Sequence, residues 1–314
     1  MVITLMDGAR IAINNCLAVK KREMVLIITD TERMNIAQAL FEAAEETGAD
    51  PVLMSMPPRS RHGEEPPEII AQAMRRADVI LAPTTFSLTH TQARKVATRL
   101  GARIATMPGI TTEMMSKGGM TANFRQIARQ ISRLHRRIKN AKEAHITTEM
   151  GTDLYMSLKG RKWVTEDNGL CYKKGSYTNL PAGEIFIPPV EGTTYGNLFI
   201  DAAFVDKVEK PVRVTIVDGF AVDIINAVEV RNQLMEVGHN AFNIAELGIG
   251  MNPKSKLIGN ILEDEKILGT VHIGFGDNST FGGKVQCGIY ISGVVTKPTL
   301  TIDNKVIIEN GELK

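Results

Sequence analysis

Four side chains in the second half of the chain have the types needed for acid–base or metal chemistry: Glu184, Glu246, Glu265 and His272. Glu184 begins the run EIFIPP, and Glu246 is the single charge in the apolar, glycine-containing run NIAELGIG. A carboxylate buried in such a run needs a cation or hydrogen-bond donors. Glu265 precedes His272 within the stretch DEKILGTVHIGFGDN. Carboxylates and an imidazole are ligands of hydrolytic zinc, cobalt, manganese and non-haem iron sites.

The spacing of these four residues leaves two interpretations open. The chain has no HExxH helix, and scattered acids with one histidine arise often by chance. The same residues therefore suit either a metal site or a pair of packed strands with a structural histidine.

Polar residues in the first half collect where strands end. His62 lies in RSRHGEEPP and His90 in PTTFSLTH, both after apolar runs. Ligands of open α/β sheets bind outside the carboxyl ends of the strands, so His62 and His90 could line a cleft. Either histidine could equally hydrogen-bond to loop backbone. The first half contains neither GxGxxG nor GxxxxGK[ST], which removes the usual grounds for a dinucleotide or nucleoside triphosphate.

The elements that must position these residues change in type near residue 145. Before it, apolar runs such as MVLIITD and DVILAP alternate with helical patterns, which favours a doubly wound α/β domain with a parallel sheet over residues 1–145. After it, short alternating runs are broken by Asp-Gly and Asp-Asn pairs, which indicate hairpins. We therefore expect a β-rich α+β domain, the candidate metal-binding one, over residues 146–314.

Composition narrows the function classes. A net charge of +2 gives no reason to expect a nucleic-acid partner, and the basic run RQISRLHRRIKNAK fits the solvated face of an amphipathic helix. No apolar run is long enough to span a bilayer, and the N-terminal segment lacks a signal-peptide core, so we expect a cytoplasmic protein with no membrane partner. The three cysteines form no CxxC pair and are expected to be reduced.

Several segments in combination resemble the thermophilic metallo-aminopeptidase family, the aminopeptidase T and S group, in its short prokaryotic branch. They are LPAGEIFIPPVEGT, AELGIG, DEKILGTVHIGFGDNSTFGG and FSLTHTQARKVATRLGARIATMPGI. The resemblance covers most of the chain from about residue 23. It implies an α/β first domain, a metal-binding second domain, a homodimer and the removal of N-terminal residues from peptides with two divalent ions.

Carried over by motif, the resemblance makes Glu184, Glu246 and His272 metal ligands and Glu265 the general base. The family then uses a His-x-Asp pair on a late strand. Here Tyr290 and Ser292 stand at those two positions, in GIYISGVV. A phenol has an unperturbed pKa of about 10 and a serine hydroxyl is a poor neutral ligand, so two ligands are missing.

The resulting expectation is a metal-dependent, aminopeptidase-like peptide hydrolase with an altered site, holding zinc, cobalt or manganese rather than iron, as one ion rather than two. Its partners would be a peptide or small-molecule substrate and a second copy of the chain. One alternative is a repurposed, non-catalytic relative that binds a ligand or partner. Another is a ring-opening dioxygenase of the 2,5-dihydroxypyridine type with ferrous iron. Whether Asp277 or Glu191 replaces the missing ligands is left open by the sequence.

Overall fold

The computed structural model describes residues 3–314 and divides the chain into two compact units. The first unit contains the residues up to Ala128 and the segment Glu166–Ala182, and the second contains Arg129–Thr165 and Gly183–Lys314. Over the described residues, no helix combines the length and the apolar character needed to cross a bilayer.

The helices, in chain order, are α1 Leu5–Arg10, α2 Met34–Glu46, α3 Glu68–Met74, α4 Gln92–Arg99, α5 Thr112–Lys117, α6 Phe124–Ile138, α7 Val228–Val237 and α8 Ile261–Asp264. The strands are β1 Met24–Asp30, β2 Asp50–Met56, β3 Val79–Ala82, β4 Arg103–Thr106, β5 Glu143–Thr147, β6 Asp153–Ser157, β7 Tyr177–Asn179, β8 Glu184–Ile187, β9 Tyr195–Ile200, β10 Ala203–Phe204, β11 Asp206–Lys207, β12 Val212–Val217, β13 Phe220–Ile225, β14 Ile244–Gly250, β15 Val271–Gly276, β16 Tyr290–Val295, β17 Thr299–Ile302, β18 Lys305–Glu309 and β19 Glu312–Leu313.

The first unit is built on a five-stranded sheet in the order β2-β1-β3-β4-β7, with every pairing parallel. Strands β3 and β4 are buried along their whole length, as the continuous apolar runs predict for strands covered on both faces. The predicted doubly wound parallel sheet is confirmed.

The fifth strand of this sheet comes from a distant part of the chain. Tyr177 in β7 pairs with Ile104 in β4. The chain therefore passes through β5 and β6 of the second unit and then returns to the first unit over Glu166–Ala182. The sequence pattern favours a single boundary at residue 145, whereas the structure divides the chain inside α6, after Thr165 and after Ala182. A three-residue parallel edge strand carries too little pattern to indicate its partner sheet.

Helix α6 carries the basic run. Its apolar residues are at most 2% exposed, namely Phe124, Ile127, Ile131, Leu134 and Ile138. The cationic residues Arg133, Arg136 and Arg137 are exposed. The run is therefore the solvated face of an amphipathic helix, as its spacing predicts.

The second unit contains two antiparallel sheets. One has eight strands in the order β13-β12-β9-β6-β5-β17-β18-β19, and the other has six in the order β11-β10-β16-β15-β14-β8. The predicted Asp-Gly hairpin joins β12 to β13, and both Asp218 and Gly219 have positive φ, which suits a tight two-residue turn. The expected α+β second domain is confirmed in type, and the six-stranded sheet carries the candidate site.

Candidate active site

The candidate site lies on one face of the six-stranded sheet, where almost every polar side chain stands opposite a glycine. The pairs in register are Glu184 with Gly250, His272 with Gly248, Glu246 and Ser292 with Gly274, and Tyr290 with Gly276. The alternate residues, such as Ile185, Leu247 and Ile273, are fully buried on the other face. Because strand side chains alternate between faces, one face builds a core and the other a polar site.

Two of these glycines allow a close approach that no larger residue permits. A Cβ atom on Gly248 would lie 1.8 Å from Nε2 of His272. A Cβ atom on Gly274 would lie 2.7 Å from Cε2 of Tyr290 and 2.8 Å from Cβ of Glu246. The imidazole and the phenol ring therefore lie directly over neighbouring strands, which brings them to Glu246.

His272 is fully buried between two acids. Its Nε2 atom lies 3.0 Å from Oε1 of Glu246 and 3.3 Å from Oε2 of Glu184. In the tautomer with its hydrogen on Nε2, the imidazole donates to the carboxylate of Glu246. Nδ1 is buried and has no hydrogen-bond partner among the described residues.

Lys266 brings a buried positive charge to the acids. Its ammonium group, with no exposure to solvent, lies 2.6 Å from Oε1 of Glu184 and 2.7 Å from Oε1 of Glu265. The side chain comes from the turn that follows α8. Two backbone N–H groups, of Ile258 and Gly259, donate to Asp264 and shape this turn. Burial raises the pKa of Asp264 to about 6, against the lowering effect of those hydrogen bonds.

Tyr290 and Ser292 occupy the late-strand positions where two metal ligands were expected. The ring of Tyr290 is partly exposed, but its hydroxyl is buried and donates to Glu246. Burial and the negative charges of Glu246, Glu265 and Glu184 raise the pKa of Tyr290 well above its ordinary value. The phenol therefore stays protonated and acts as a donor. The buried hydroxyl of Ser292 has no hydrogen-bond partner among the described residues.

Three aromatic residues, which we call the ring wall, stand beside the acids: Phe186, Phe281 and Tyr290. Phe281 meets Phe186 edge-on at a centroid distance of 5.4 Å and Tyr290 edge-on at 6.3 Å. Phe186 pairs in register with Gly248, the glycine under the imidazole of His272. Planar apolar surfaces thus border a polar, buried cluster, which is the composition of a small-molecule site.

The loop over residues 277–289 carries Phe281 and is tied down by Glu191. Oε1 of Glu191 accepts from Nδ2 of Asn278 at 3.2 Å and from the backbone N–H of Lys284 at 2.8 Å, and Oε2 pairs with Arg161. Partial burial pushes the pKa of Glu191 up, but hydrogen bonds from backbone N–H groups and the Arg161 charge hold it below its ordinary value. Asp277 accepts from the backbone N–H groups of Ser279 and Cys287. Both acids hold the loop, so neither replaces a missing ligand.

Three residues of the cluster could hold a metal ion. Glu184, Glu265 and His272 each offer one ligand atom, and these atoms lie within 4.8 Å of one another. Glu246 lies outside this group and contacts the imidazole and the phenol instead. Across the cluster, three carboxylates face one ammonium group, and a buried excess of negative charge favours a cation. The donor set therefore fits one divalent ion. It differs from a site of two histidines and one carboxylate in that a second carboxylate stands in place of one histidine.

The two histidines of the first unit belong to a separate set of loops. Nδ1 of His62 accepts the backbone N–H of Ser87 at 3.0 Å, and its ring meets Phe86 edge-on. His90 is exposed in the loop before α4. At the strand ends, the buried Asp30 accepts the backbone N–H of Thr85 at 2.5 Å. His62 thus supports loop backbone, and neither histidine belongs to the acidic cluster of the second unit.

Sequence reasoning missed two parts of the site. Nothing in the sequence indicated a role for Lys266, because a lysine is almost never fully buried unless it is paired and its partner Glu184 is distant in sequence. The ring wall was missed because Phe186 and Phe281 are far apart in sequence and meet only through β8 and the loop over residues 277–289.

Comparisons with known proteins identify the family. The sequence model of NicX, 2,5-dihydroxypyridine 5,6-dioxygenase, matches residues 5–314. The structure resembles 2,5-dihydroxypyridine dioxygenase from Pseudomonas putida, with a TM-score of 0.82, 17% identity and coverage of 99% of this chain and 96% of that one. It also resembles wild-type AmpT from Thermus thermophilus, with a TM-score of 0.72, 18% identity and 98% coverage of both chains. No curated protein matches the sequence.

These findings correct the expectation from the aminopeptidase resemblance. At such low identity, the likeness to AmpT shows the shared two-domain fold alone. The match over nearly the whole chain goes to the dioxygenase model, so the peptide-hydrolase function, and with it the metalloprotease class, was wrong. The chain belongs to the NicX family, that of 2,5-dihydroxypyridine 5,6-dioxygenase.

Proposed function

We propose that this protein is a metal-dependent ring-opening dioxygenase whose substrate is a small hydroxylated heteroaromatic ring. The observation that carries the proposal is the ring wall of Phe186, Phe281 and Tyr290 beside the buried cluster of Glu184, Glu246, Glu265 and His272. Aromatic side chains bind a flat ring through offset or edge-on contacts, and an acidic cluster at the ring edge contacts its hydroxyl groups.

Within this proposal, one divalent ion is held by Glu184, Glu265 and His272. We propose ferrous iron, because zinc, cobalt and manganese were favoured only by the peptidase assignment. When bound, iron would let electrons of the ring pass to dioxygen, which side chains alone cannot do.

The protein's own side chains bind the ring and move its protons. Glu265 has a side-chain exposure of 14%, against 7% for Glu184 and 6% for Glu246, so it is the most accessible of the three acids. We propose that the carboxylate oxygen of Glu265 that the ion would not use accepts a substrate hydroxyl proton. The hydroxyl of Tyr290 holds Glu246, and Lys266 holds Glu184 and Glu265 in place.

The test is oxygen consumption by protein loaded with ferrous iron without air, using 2,5-dihydroxypyridine and other hydroxylated pyridines as substrates. We expect oxygen uptake with loss of the ring absorbance. Glu265→Gln should lower kcat by about 100-fold or more while the protein stays folded, because the proton acceptor and one charged ligand are lost together. His272→Ala should lose the iron.

The matched control is Glu236→Gln, which changes an exposed acid on α7 and should leave turnover unchanged. Retained iron without oxygen uptake on any of these rings would overturn the proposed reaction. A protein that retains no iron under any condition would overturn the metal requirement and favour a relative that only binds a ligand.

A further inference from the structure

Lys266 places its charge on the acids that a metal ion would use. Glu184 and Glu265 are two of the three residues whose ligand atoms lie within 4.8 Å of one another. The same two carboxylates receive the ammonium group at 2.6 Å and 2.7 Å. Lysine is almost never fully buried without such partners, and Lys266 has no exposure to solvent.

We propose that the ammonium group of Lys266 occupies a cation position of this site and competes with a divalent ion for Glu184 and Glu265. Without an ion, the ammonium group keeps two acids together that would otherwise repel each other. With an ion, its like charge a few ångströms away weakens binding. Lys266 is therefore a positioning residue that sets the affinity of the site. The inference relies on the proposed function for the presence of an ion in the working enzyme.

The test compares Mn²⁺ binding to three forms of the full chain at neutral pH by calorimetry. Lys266→Met removes the charge and keeps an unbranched chain, and Lys266→Arg keeps the charge. We expect the Kd of the Met variant to fall by about tenfold or more, and that of the Arg variant to stay within about threefold of wild type. Circular dichroism confirms that each form is folded. A folded Met variant with an unchanged or weaker Kd would overturn the inference.

Removing a partner from a buried ion pair can unfold a protein, so a second measurement uses the wild type. Nitrogen NMR of the lysine ammonium groups should show one slowly exchanging signal that disappears in Lys266→Arg. Saturating Zn²⁺ should shift that signal. A signal that is insensitive to bound Zn²⁺ contradicts competition at this position.

The outcomes separate this inference from the proposed function. Mn²⁺ binding by the Met variant but not by the wild type would support the role of Lys266 and contradict a metal-dependent reaction. Binding by the wild type with no gain in the Met variant would contradict the role of Lys266 alone. Absence of binding in both would overturn both.

Discussion

At the scale of single residues, Tyr290 has a different role from that of the metal ligand expected at its position. Its phenol keeps its proton because burial and three nearby acids raise its pKa. The position therefore gives Glu246 a hydrogen-bond donor where a histidine would give a metal a lone pair. The consequence is a site whose acids are organised by a tyrosine, a lysine and a histidine.

His62 offers a prediction at the same scale. Burial of the ring lowers the pKa of His62, although the residue as a whole is exposed, and Nδ1 already accepts the backbone N–H of Ser87. We expect its NMR titration midpoint to lie below the ordinary 6.5. A lowered pKa means that the neutral form stabilises the fold above pH 6.5, and that this contribution is lost as the pH falls through the folded-state value.

The His62 signal is assigned by its absence in His62→Asn. A midpoint at or above 6.5 would show that the ring is not held in the neutral form.

At the scale of elements, the glycines of β14 and β15 leave the space that the side chains of the site occupy above the sheet. A methyl group at Gly248 would overlap the imidazole of His272, since the added Cβ lies 1.8 Å from Nε2. We expect Gly248→Ala to lower the free energy of unfolding by about 1–3 kcal/mol through overpacking and to abolish metal binding.

A double-mutant cycle checks this cause. In a His272→Ala background the added methyl group meets no ring, so the cost of Gly248→Ala should shrink by about 1 kcal/mol or more. The free energy of unfolding is measured with denaturant. If Gly248→Ala lowers it equally in both backgrounds, the added methyl group does not act through the ring of His272.

The loop over residues 277–289 gives a second prediction for an element. Arg161 binds Glu191 and the carbonyl oxygen of Gly282, so Arg161→Met should free the loop. Cys287 lies in this loop, and partial burial raises the pKa of its thiol, which slows its reaction. We expect alkylation of Cys287 to become at least about threefold faster in Arg161→Met.

Arg133→Met, on the exposed face of α6, is the matched control and should leave the rate unchanged. Cys16 and Cys171 are buried and should stay unmodified in both variants. An unchanged rate in Arg161→Met would show that Asp277 and Asn278 hold the loop without this ion pair.

An element could be predicted from the sequence when its contacts are local, and could not when its contacts join residues that are far apart in the chain. The strands β1, β3 and β4 and the buried face of α6 could be predicted from the spacing of apolar residues. The burial of a strand or of a helix face depends on residues that are close together in sequence. The pairing of β7 with β4 and the contacts of Lys266 with Glu184 join distant segments. No local pattern specifies such partners, so fold class was predictable and the contents of the site were only partly so.

At the scale of the whole molecule, shared architecture does not decide chemistry. The same two-domain fold appears in a dioxygenase structure and in AmpT, with TM-scores of 0.82 and 0.72. The function therefore depends on the residues placed on one sheet face.

Assembly is the prediction at this scale. The aminopeptidase resemblance suggested a homodimer, and we propose the same assembly for this chain. Light scattering after gel filtration should give twice the mass of one chain at micromolar concentration. A single-chain mass that persists on concentration would contradict it.

The return of residues 166–182 to the first unit has a consequence for synthesis on the ribosome. Strand β7 cannot pair with the edge of β4 until Asn179 has left the ribosome. By then, β5 and β6 of the second unit have already left it. Until then, the backbone of Arg103–Thr106 presents an open edge that other strands can pair with. The nascent chain is therefore most vulnerable to misassembly between the emergence of β4 and that of β7, and a break after residue 145 would make that state permanent.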